Sequence, residues 1–371
     1  MDENSAFGRI MKLIDEKLMF ELVEKNESDR WYKKFSTQDH VACMIFAQLV
    51  GSKSLRQLEV QFSVYAQSAY TPVKRSTLSD ANRNRDYKVF ESLCRNLMKS
   101  ESREINELMR ILDSSPIVVL GKGSEWAKKK ATPRLKGLKV HISYAPESKL
   151  FNELDVTYAN VNDVSVGRKW KIKPGLIYVF DKGYMDYNWW HKIHEKEAFF
   201  ISRAKKNTSY VVIENKVIDE DQRAVISDQI IRLKNRMPRG GKVNLLADTL
   251  LRLVTFYDSI SDKTYSFITN NLSLSAQSIA KHYKKRWDVE LLFKWIKQNL
   301  RIKQLFSNNQ NAIKIQIYTA LISYLLLLSL KKKSKGFLRI VDFLSWVKIT
   351  IFSPIFSSAI NEYENCQRSL L

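Results

Sequence analysis

The stretch Gly175–Tyr184, GLIYVFDKGY, is an unbroken apolar run that stops at an acid. A short continuous apolar run bounded by turn residues reads as a buried strand. Asp181 follows its last apolar residue directly, and Lys182-Gly183 supplies turn chemistry. In α/β sheets, ligands bind beyond the carboxyl ends of buried strands, so Asp181 stands where such a sheet places chemistry. Taken alone, the same residue is equally well explained as a turn-former.

Upstream, Arg110–Leu120 (RILDSSPIVVL) is a β-rich apolar run with Asp113 inside it. An unpaired Asp within an apolar strand is destabilising, although in DSS it can also serve as a turn or capping residue. Lys139–Tyr144 and Phe151–Tyr158 read as further strands, followed by a short helical segment near Asn162–Trp170. A basic loop holding Lys128, Lys129, Lys130, Arg134 and Lys136 separates the first two strands. Downstream of Tyr184, MDYNWWHKIHEKE reads as a helix and AFFISRAK as a strand. From about residue 106 the order is strand, strand, strand, helix, strand, helix, strand. Residues 205 to about 272 break that order, with acids in 214–221, a basic turn MPRGGK, and strands at Arg252–Tyr257 and Thr264–Thr269. They read as a β-rich insertion, after which Ser275 caps a helix.

That helix leads to His282–Ile302, HYKKRWDVELLFKWIKQNLRI. At about 100° per residue, Tyr283, Arg286, Glu290, Lys294 and Lys297 share one stripe of roughly 80°. Trp287, Val289, Leu291, Leu292, Trp295 and Ile296 cover most of the remaining circumference. An ordinary surface helix shows the reverse, a single apolar stripe on a polar cylinder. This one reads as largely buried yet charged, and buried charge is costly unless it meets a partner or a metal. A carboxylate among Arg, Lys and Tyr suits a place where metal ions meet a phosphodiester. The plainer reading is a partly buried helix whose charges reach solvent or pair with Glu290 or Asp288.

The outer parts of the chain are helical in pattern. Ser36-Thr37-Gln38-Asp39 has capping-box spacing ahead of Val41–Val50, and Gly51 can end that helix. Ser54 caps a segment with Leu55, Leu58 and Phe62 on one face, and Thr77 with Asp80 again has capping spacing. Lys74, Arg83 and Arg85 near one terminus suit a helix-turn-helix-like DNA reader, or equally a helical packing domain with a solvated basic face. Beyond about residue 335, Phe337, Phe343 and Trp346 mark further helix.

Sixty-one Lys and Arg against 39 Asp and Glu give a formal charge of +22, spread along the chain as in proteins that bind a polyanion. Cys43, Cys94 and Cys366 lack metal or redox spacing and fit a reducing compartment. Met1–Asp15 contains acids and no continuous apolar run, so no signal peptide is expected. The membrane-like segment Ile317–Leu330 is shorter than the ~20 residues a bilayer requires and reads as a core helix beneath the sheet. His191 and His194 have helical spacing but no third ligand, and Gly121-Lys-Gly123 is too short for a nucleotide loop. Asp155 and Asp163 could replace a core acid, but neither ends a long apolar strand.

The spacing Tyr-x2-Arg-x3-Glu-x6-Lys (Tyr283, Arg286, Glu290, Lys297) resembles the Y-R-E-K motif of bacterial insertion-sequence transposases of the DDE class. Asp181-Lys182-Gly183-Tyr184 and Leu112-Asp113-Ser114-Ser115 resemble the stretches around that family's second and first acids. The resemblance implies a mixed α/β fold: a ribonuclease-H-like core over 106–335 with its β-rich insertion at about 205–272. A helical DNA-binding domain over 1–105 would precede it, and a helical tail over 336–371 would follow. It further implies that Asp113, Asp181 and Glu290 hold two Mg²⁺ ions, for which Mn²⁺ could substitute. Tyr283, Arg286 and Lys297, with Lys294 beside them, would contact DNA phosphates. The partners would be terminal inverted repeats, target DNA and a second copy of the chain, in the bacterial cytoplasm at the nucleoid and away from membranes. Some relatives place a Trp in the insertion to hold a flipped base. Residues 205–272 here contain no Trp; Phe256, Tyr257, Tyr265 and Phe267 stand as candidates for that role, and these read more simply as core. A non-catalytic DNA-binding regulator and a Mg²⁺ nuclease without strand transfer are the alternatives.

Overall fold

The structure is a computed structural model that describes residues 5–32, 34–65, 70–102, 107–128, 136–218, 224–234, 236–237, 243–300, 302, 304–334 and 339–351. Lys129, Lys130, Arg134, Phe337, Cys366, most of MPRGGK and the acids at 219–221 lie outside those residues. The chain divides into a helical unit (Met1–Arg103, Ile117–Leu138, Phe293–Leu371) and a sheet unit (Glu104–Pro116, Lys139–Leu292).

The helical unit opens with α1 (Ala6–Met11), α2 (Glu16–Lys25), α3 (Thr37–Val50), α4 (Leu55–Tyr65), α5 (Arg75–Asn84) and α6 (Lys88–Glu101). Ser36 and Asp39 form the reciprocal capping box of α3, and Gly51 ends it at φ 76°. That left-handed position suits Gly because it has no Cβ to clash. Ser54 Oγ accepts the Gln57 N–H at the start of α4. Thr77 is no cap: α5 begins earlier, at Arg75, and Thr77 and Asp80 lie inside it.

The sheet unit contains β1 (Met109–Val118), β2 (Gly137–Ala145), β3 (Leu150–Tyr158), α7 (Asp163–Gly167), β4 (Ile177–Phe180), α8 (Tyr187–Glu195) and β5 (Phe199–Arg203). Four further strands follow: β6 (Tyr210–Asn215), β7 (Val225–Leu233), β8 (Leu251–Asp258) and β9 (Lys263–Thr269). All nine join one sheet in the order β3-β2-β1-β4-β5-β9-β8-β7-β6. β1 pairs with β4, and β4 with β5, in parallel. β5 pairs antiparallel with β9, and the insertion strands continue antiparallel to the edge. The order 3-2-1-4-5 with a parallel centre is a ribonuclease-H-like core within a mixed α/β fold. The insertion lengthens that core sheet instead of folding apart from it.

Every residue of β4 is buried, as the apolar run requires. Phe180, Trp189, Trp190 and Phe200 fill the core over it, with Trp190 and Phe200 4.6 Å apart between ring centroids. α9 (Ala276–Lys284), capped by Ser275, packs on β4, β5, β7 and β8. α10 (Trp287–Asn299) comes next, so His282–Ile302 is not one helix. The ladder breaks at Lys285-Arg286, where Arg286 N–H bonds Tyr283 O at 3.0 Å and Asp288 N–H bonds Lys285 O at 2.9 Å. These three-residue spans tighten the turn and shift its phase. Trp287 and Leu291, expected to be covered, are accordingly 59% and 57% exposed, while Val289, Leu292 and Ile296 are buried.

The helical unit resumes with α11 (Gln310–Lys333) and α12 (Ile340–Ile349). α11 is long and apolar enough to cross a membrane, and 94% of its most apolar window is buried. Within the helical unit it packs against α1, α3, α5, α6 and α12, so it is the axis of a helical bundle. A helix apolar on all sides announces burial but not what buries it.

Candidate active site

The register of β1 against β4 pairs Leu112 with Phe180. Asp113 follows Leu112 within β1 and Asp181 follows Phe180 just beyond β4, which brings the two acids onto neighbouring chains at the same level of the sheet. Each keeps one carboxylate oxygen on the backbone just ahead: Asp113 Oδ1 accepts the Ser114 N–H at 2.8 Å, and Asp181 Oδ1 accepts the Gly183 N–H at 2.8 Å. The turn-former reading of Asp181 is therefore realised together with its place at the sheet's end. One oxygen is spent locally and fixes the direction of the other.

Glu290 comes from the first turn of α10 and is joined to the pair through Arg286. Arg286 Nη2 lies 2.6 Å from Glu290 Oε1 and Nη1 lies 3.9 Å from Asp113 Oδ2. The guanidinium lies 5.8 Å from the ring centroids of both Tyr283 and Trp287. Burial works against its charge, but Tyr283, Glu290 and Asp113 more than offset this and raise its pKa. Tyr283 is buried, its ring 4.7 Å from that of Phe267. Burial pushes the Asp113 carboxyl up to about 6, with Asp181 and Glu290 adding to the rise and the Ser114 N–H and Arg286 opposing it. Arg286 thus links Asp113 to Glu290, and Asp113 in turn feels the charge of Asp181.

Five of the residues chosen from the sequence (Asp113, Asp181, Tyr283, Arg286 and Glu290) therefore meet within the sheet unit. Lys294 and Lys297 lie on the part of α10 that belongs to the helical unit, Lys294 exposed and Lys297 half-buried. Lys74 and Arg83 are exposed, but Arg85 is not available to DNA. Its side chain is buried, donating to the carbonyls of Phe35 and Ser36 and lying 4.1 Å from the Tyr32 ring centroid. His191 pairs with Glu195 at 3.5 Å, and Asp155 accepts Trp170 Nε1 at 2.6 Å. Sequence reasoning set Asp163 aside, yet it accepts Ser114 Oγ at 2.8 Å beside the first acid. It heads a short helix and ends no strand, so periodicity gives it no signal.

The insertion aromatics are not simply core. Phe267 is buried, but Tyr257 is 40% exposed. Phe256, Tyr257, Tyr265 and Phe267 line a cavity of about 450 Å³ with Tyr283, Arg286 and Trp287. Arg203 closes one side, 4.6 Å from the Tyr265 ring centroid. Neither Arg203 nor Trp287 was singled out from the sequence as part of a site.

The acid cluster suits divalent cations. Among the described residues, no three His, Cys, Asp or Glu side chains yet converge tightly enough to hold an ion. Mg²⁺ keeps several waters and needs only one or two carboxylates, so sparse donors suffice. Tyr184 Oη is buried without a partner and feels the charges of Asp163, Asp113 and Asp181. A buried hydroxyl of that kind fits beside a hydrated ion.

The ribonuclease-H-like sheet carries Asp113 within β1 and Asp181 just past β4, with Glu290 on a following helix, an arrangement like that of the DDE class of nucleic-acid enzymes. The family model described as "Transposase DDE domain" matches residues 105–326, and a "Domain of unknown function (DUF4372)" matches residues 2–70. A protein of Sinorhizobium fredii named as the transposase y4zB is 40% identical over 67% of this chain and 69% of that protein. A transposase for insertion sequence element IS5377 of Geobacillus stearothermophilus is 27% identical over 65% of this chain and 61% of that one. Among solved structures, a piggyBac transposase synaptic complex with hairpin DNA aligns with a TM-score of 0.49 at 10% identity, over 96% of this chain and 82% of that chain. The chain belongs to the DDE transposases of bacterial insertion sequences, enzymes that cut and join DNA.

Proposed function

We propose that the protein binds the terminal inverted repeats of its own mobile element, cuts the DNA ends, and joins the freed 3′-hydroxyls to target DNA. Asp113, Asp181 and Glu290 are the catalytic acids, and two Mg²⁺ ions are held among them. When bound, such a pair activates the attacking water or 3′-hydroxyl and stabilises the leaving oxygen. The observation that carries the reading is the β1–β4 register, which sets two acids side by side, with Glu290 linked to them through Arg286.

The chain's own groups have separable tasks. Arg286 neutralises Asp113 and Glu290, and its planar fork can transfer to a DNA phosphate, which suits bidentate contact. Tyr283 contacts the backbone beside it, and Lys294 and Lys297 extend the phosphate contacts as point charges. The cavity of Phe256, Tyr257, Tyr265 and Trp287 offers stacking faces for one base turned out of the duplex end. The helical segment before residue 105, with Lys74, Arg75 and Arg83 exposed on and before α5, reads the repeat. Two copies act together at paired ends, in the cytoplasm on the nucleoid.

The test is Glu290→Ala. Mg²⁺-dependent cleavage of donor ends is expected to vanish while end binding stays close to the unaltered protein's. Cleavage at the original rate would rule out the assignment. A strand-transfer assay with pre-cut ends then separates a transposase from a nuclease.

A further inference from the structure

Ser114 stands between two carboxylates. Its backbone N–H donates to Asp113 Oδ1 and its hydroxyl donates to Asp163 Oδ1, each at 2.8 Å. The same Asp163 oxygen accepts Lys139 Nζ at 2.9 Å, and Lys139 also donates to Val161 O at 2.9 Å. His141 Nδ1 lies 3.4 Å from that oxygen. One carboxylate oxygen therefore ties the end of β1 to β2 and to the turn that opens α7.

An Asp at the start of a helix ordinarily turns its side chain onto that helix's free N–H groups. Asp163 does not: the N-cap of α7 is Asn162, which makes no capping bond, and Asp163 Oδ1 reaches across to Ser114. Its other oxygen faces the second acid. A Cβ built on Gly183 would lie 2.9 Å from Asp181 Oδ1 and 3.8 Å from Asp163 Oδ2. The partnerless Tyr184 hydroxyl is influenced by the same carboxylates, so this corner contains a buried polar group still lacking a ligand.

We propose that Asp163 is a positioning residue for Asp113, holding the Ser114 hydroxyl so that the Ser114 N–H pins Asp113 Oδ1 and leaves Oδ2 directed at the cation site. Lys139, 2.9 Å from the same oxygen, holds the Asp163 carboxylate in place. The inference rests on the reading of Asp113 as a metal ligand. It adds a residue that never touches the ion, in the way that outer hydrogen bonds orient metal ligands elsewhere.

The experiment is Mn²⁺ titration of the full chain, followed by electron paramagnetic resonance, with thermal unfolding measured in parallel. Asp163→Ala and Ser114→Ala are each expected to weaken Mn²⁺ binding about tenfold. The double variant is expected to be no weaker than either single one, because both act through one contact. Ser114→Thr, which keeps the hydroxyl, is expected to restore binding, which a merely structural role would not require. If Asp163→Ala fails to fold, Ser114→Ala and Ser114→Thr still decide the question. Full additivity, or unchanged affinity in Asp163→Ala while Asp113→Asn loses it, overturns the role of Asp163 alone. Unchanged affinity in Asp113→Asn as well overturns the metal reading, and this inference with it.

Discussion

Two arginines, Arg85 buried in the helical unit and Arg286 half-buried in the sheet unit, show how differently the same side chain can be partnered. Arg85 gives its guanidinium to two backbone carbonyls of the chain before α3 and stacks on Tyr32, with Asp29 3.6 Å away. The Ser36 carbonyl also accepts the His40 N–H of α3 at 3.0 Å, and the arrangement locks the end of α5 to the start of α3. Arg286 instead sits between Asp113 and Glu290, two of the acids proposed to hold metal ions. Carbonyl partners make a permanent fastening; carboxylate partners make an exchangeable one. The environment, not the residue type, separates the two.

That contrast is sharpest in stability. Arg85→Met removes the side chain's bonds to the Phe35 and Ser36 carbonyls and is expected to cost about 3 kcal/mol, read by urea unfolding. A loss below about 1 kcal/mol would erase the distinction. Arg286→Ala is expected to lower end cleavage by about a hundredfold while shifting unfolding by less than about 1 kcal/mol. A large loss of stability there would make Arg286 a second fastening.

The acids beside Arg286 allow a further test. Asp113 is pushed from 3.8 to about 6 in the folded protein, so its folded form binds the proton more tightly than its unfolded form. Its contribution to stability is full below about pH 4 and is lost as pH rises through about 6. Asp113→Asn should therefore stabilise the metal-free protein by about 2 kcal/mol at pH 8, shrinking toward nothing below pH 4. An unchanged difference across that range would show that Arg286 fully compensates the acid. The smallest expected effect is at Lys297. Lys297→Ala should reduce the salt dependence of end binding by about 0.9 in log–log slope, one phosphate contact's worth. An unchanged slope would assign Lys297 to an internal ion pair.

Much of the sheet was legible because strands and their ends leave local marks. The apolar run of β4 and the acid after it both appear where the sequence indicates. β7 left a weaker mark: its Asp228 looks like an interruption until Arg252 on β8 pairs with it, Nε to Oδ1 at 2.7 Å. The break between α9 and α10 was hidden as well, since helical periodicity runs through it and only the exposure of Trp287 and Leu291 reveals the change of phase. Asp163 was discounted for the same reason, because its partner Ser114 lies 49 residues away.

The sequence by itself determined the strands β1 to β5, β8 and β9, the caps of α3 and α9, the surplus of positive charge, and which acids and bases could form a phosphodiester site. Those features depend on neighbours within a turn or two of chain, and local sterics and burial decide them. Tertiary structure alone decided that Arg85 binds carbonyls while Arg286 meets carboxylates, that the insertion extends the core sheet, and that Asp163 reaches Ser114. These are pairings between distant segments. Their energies arise only when folding removes water from both partners at once.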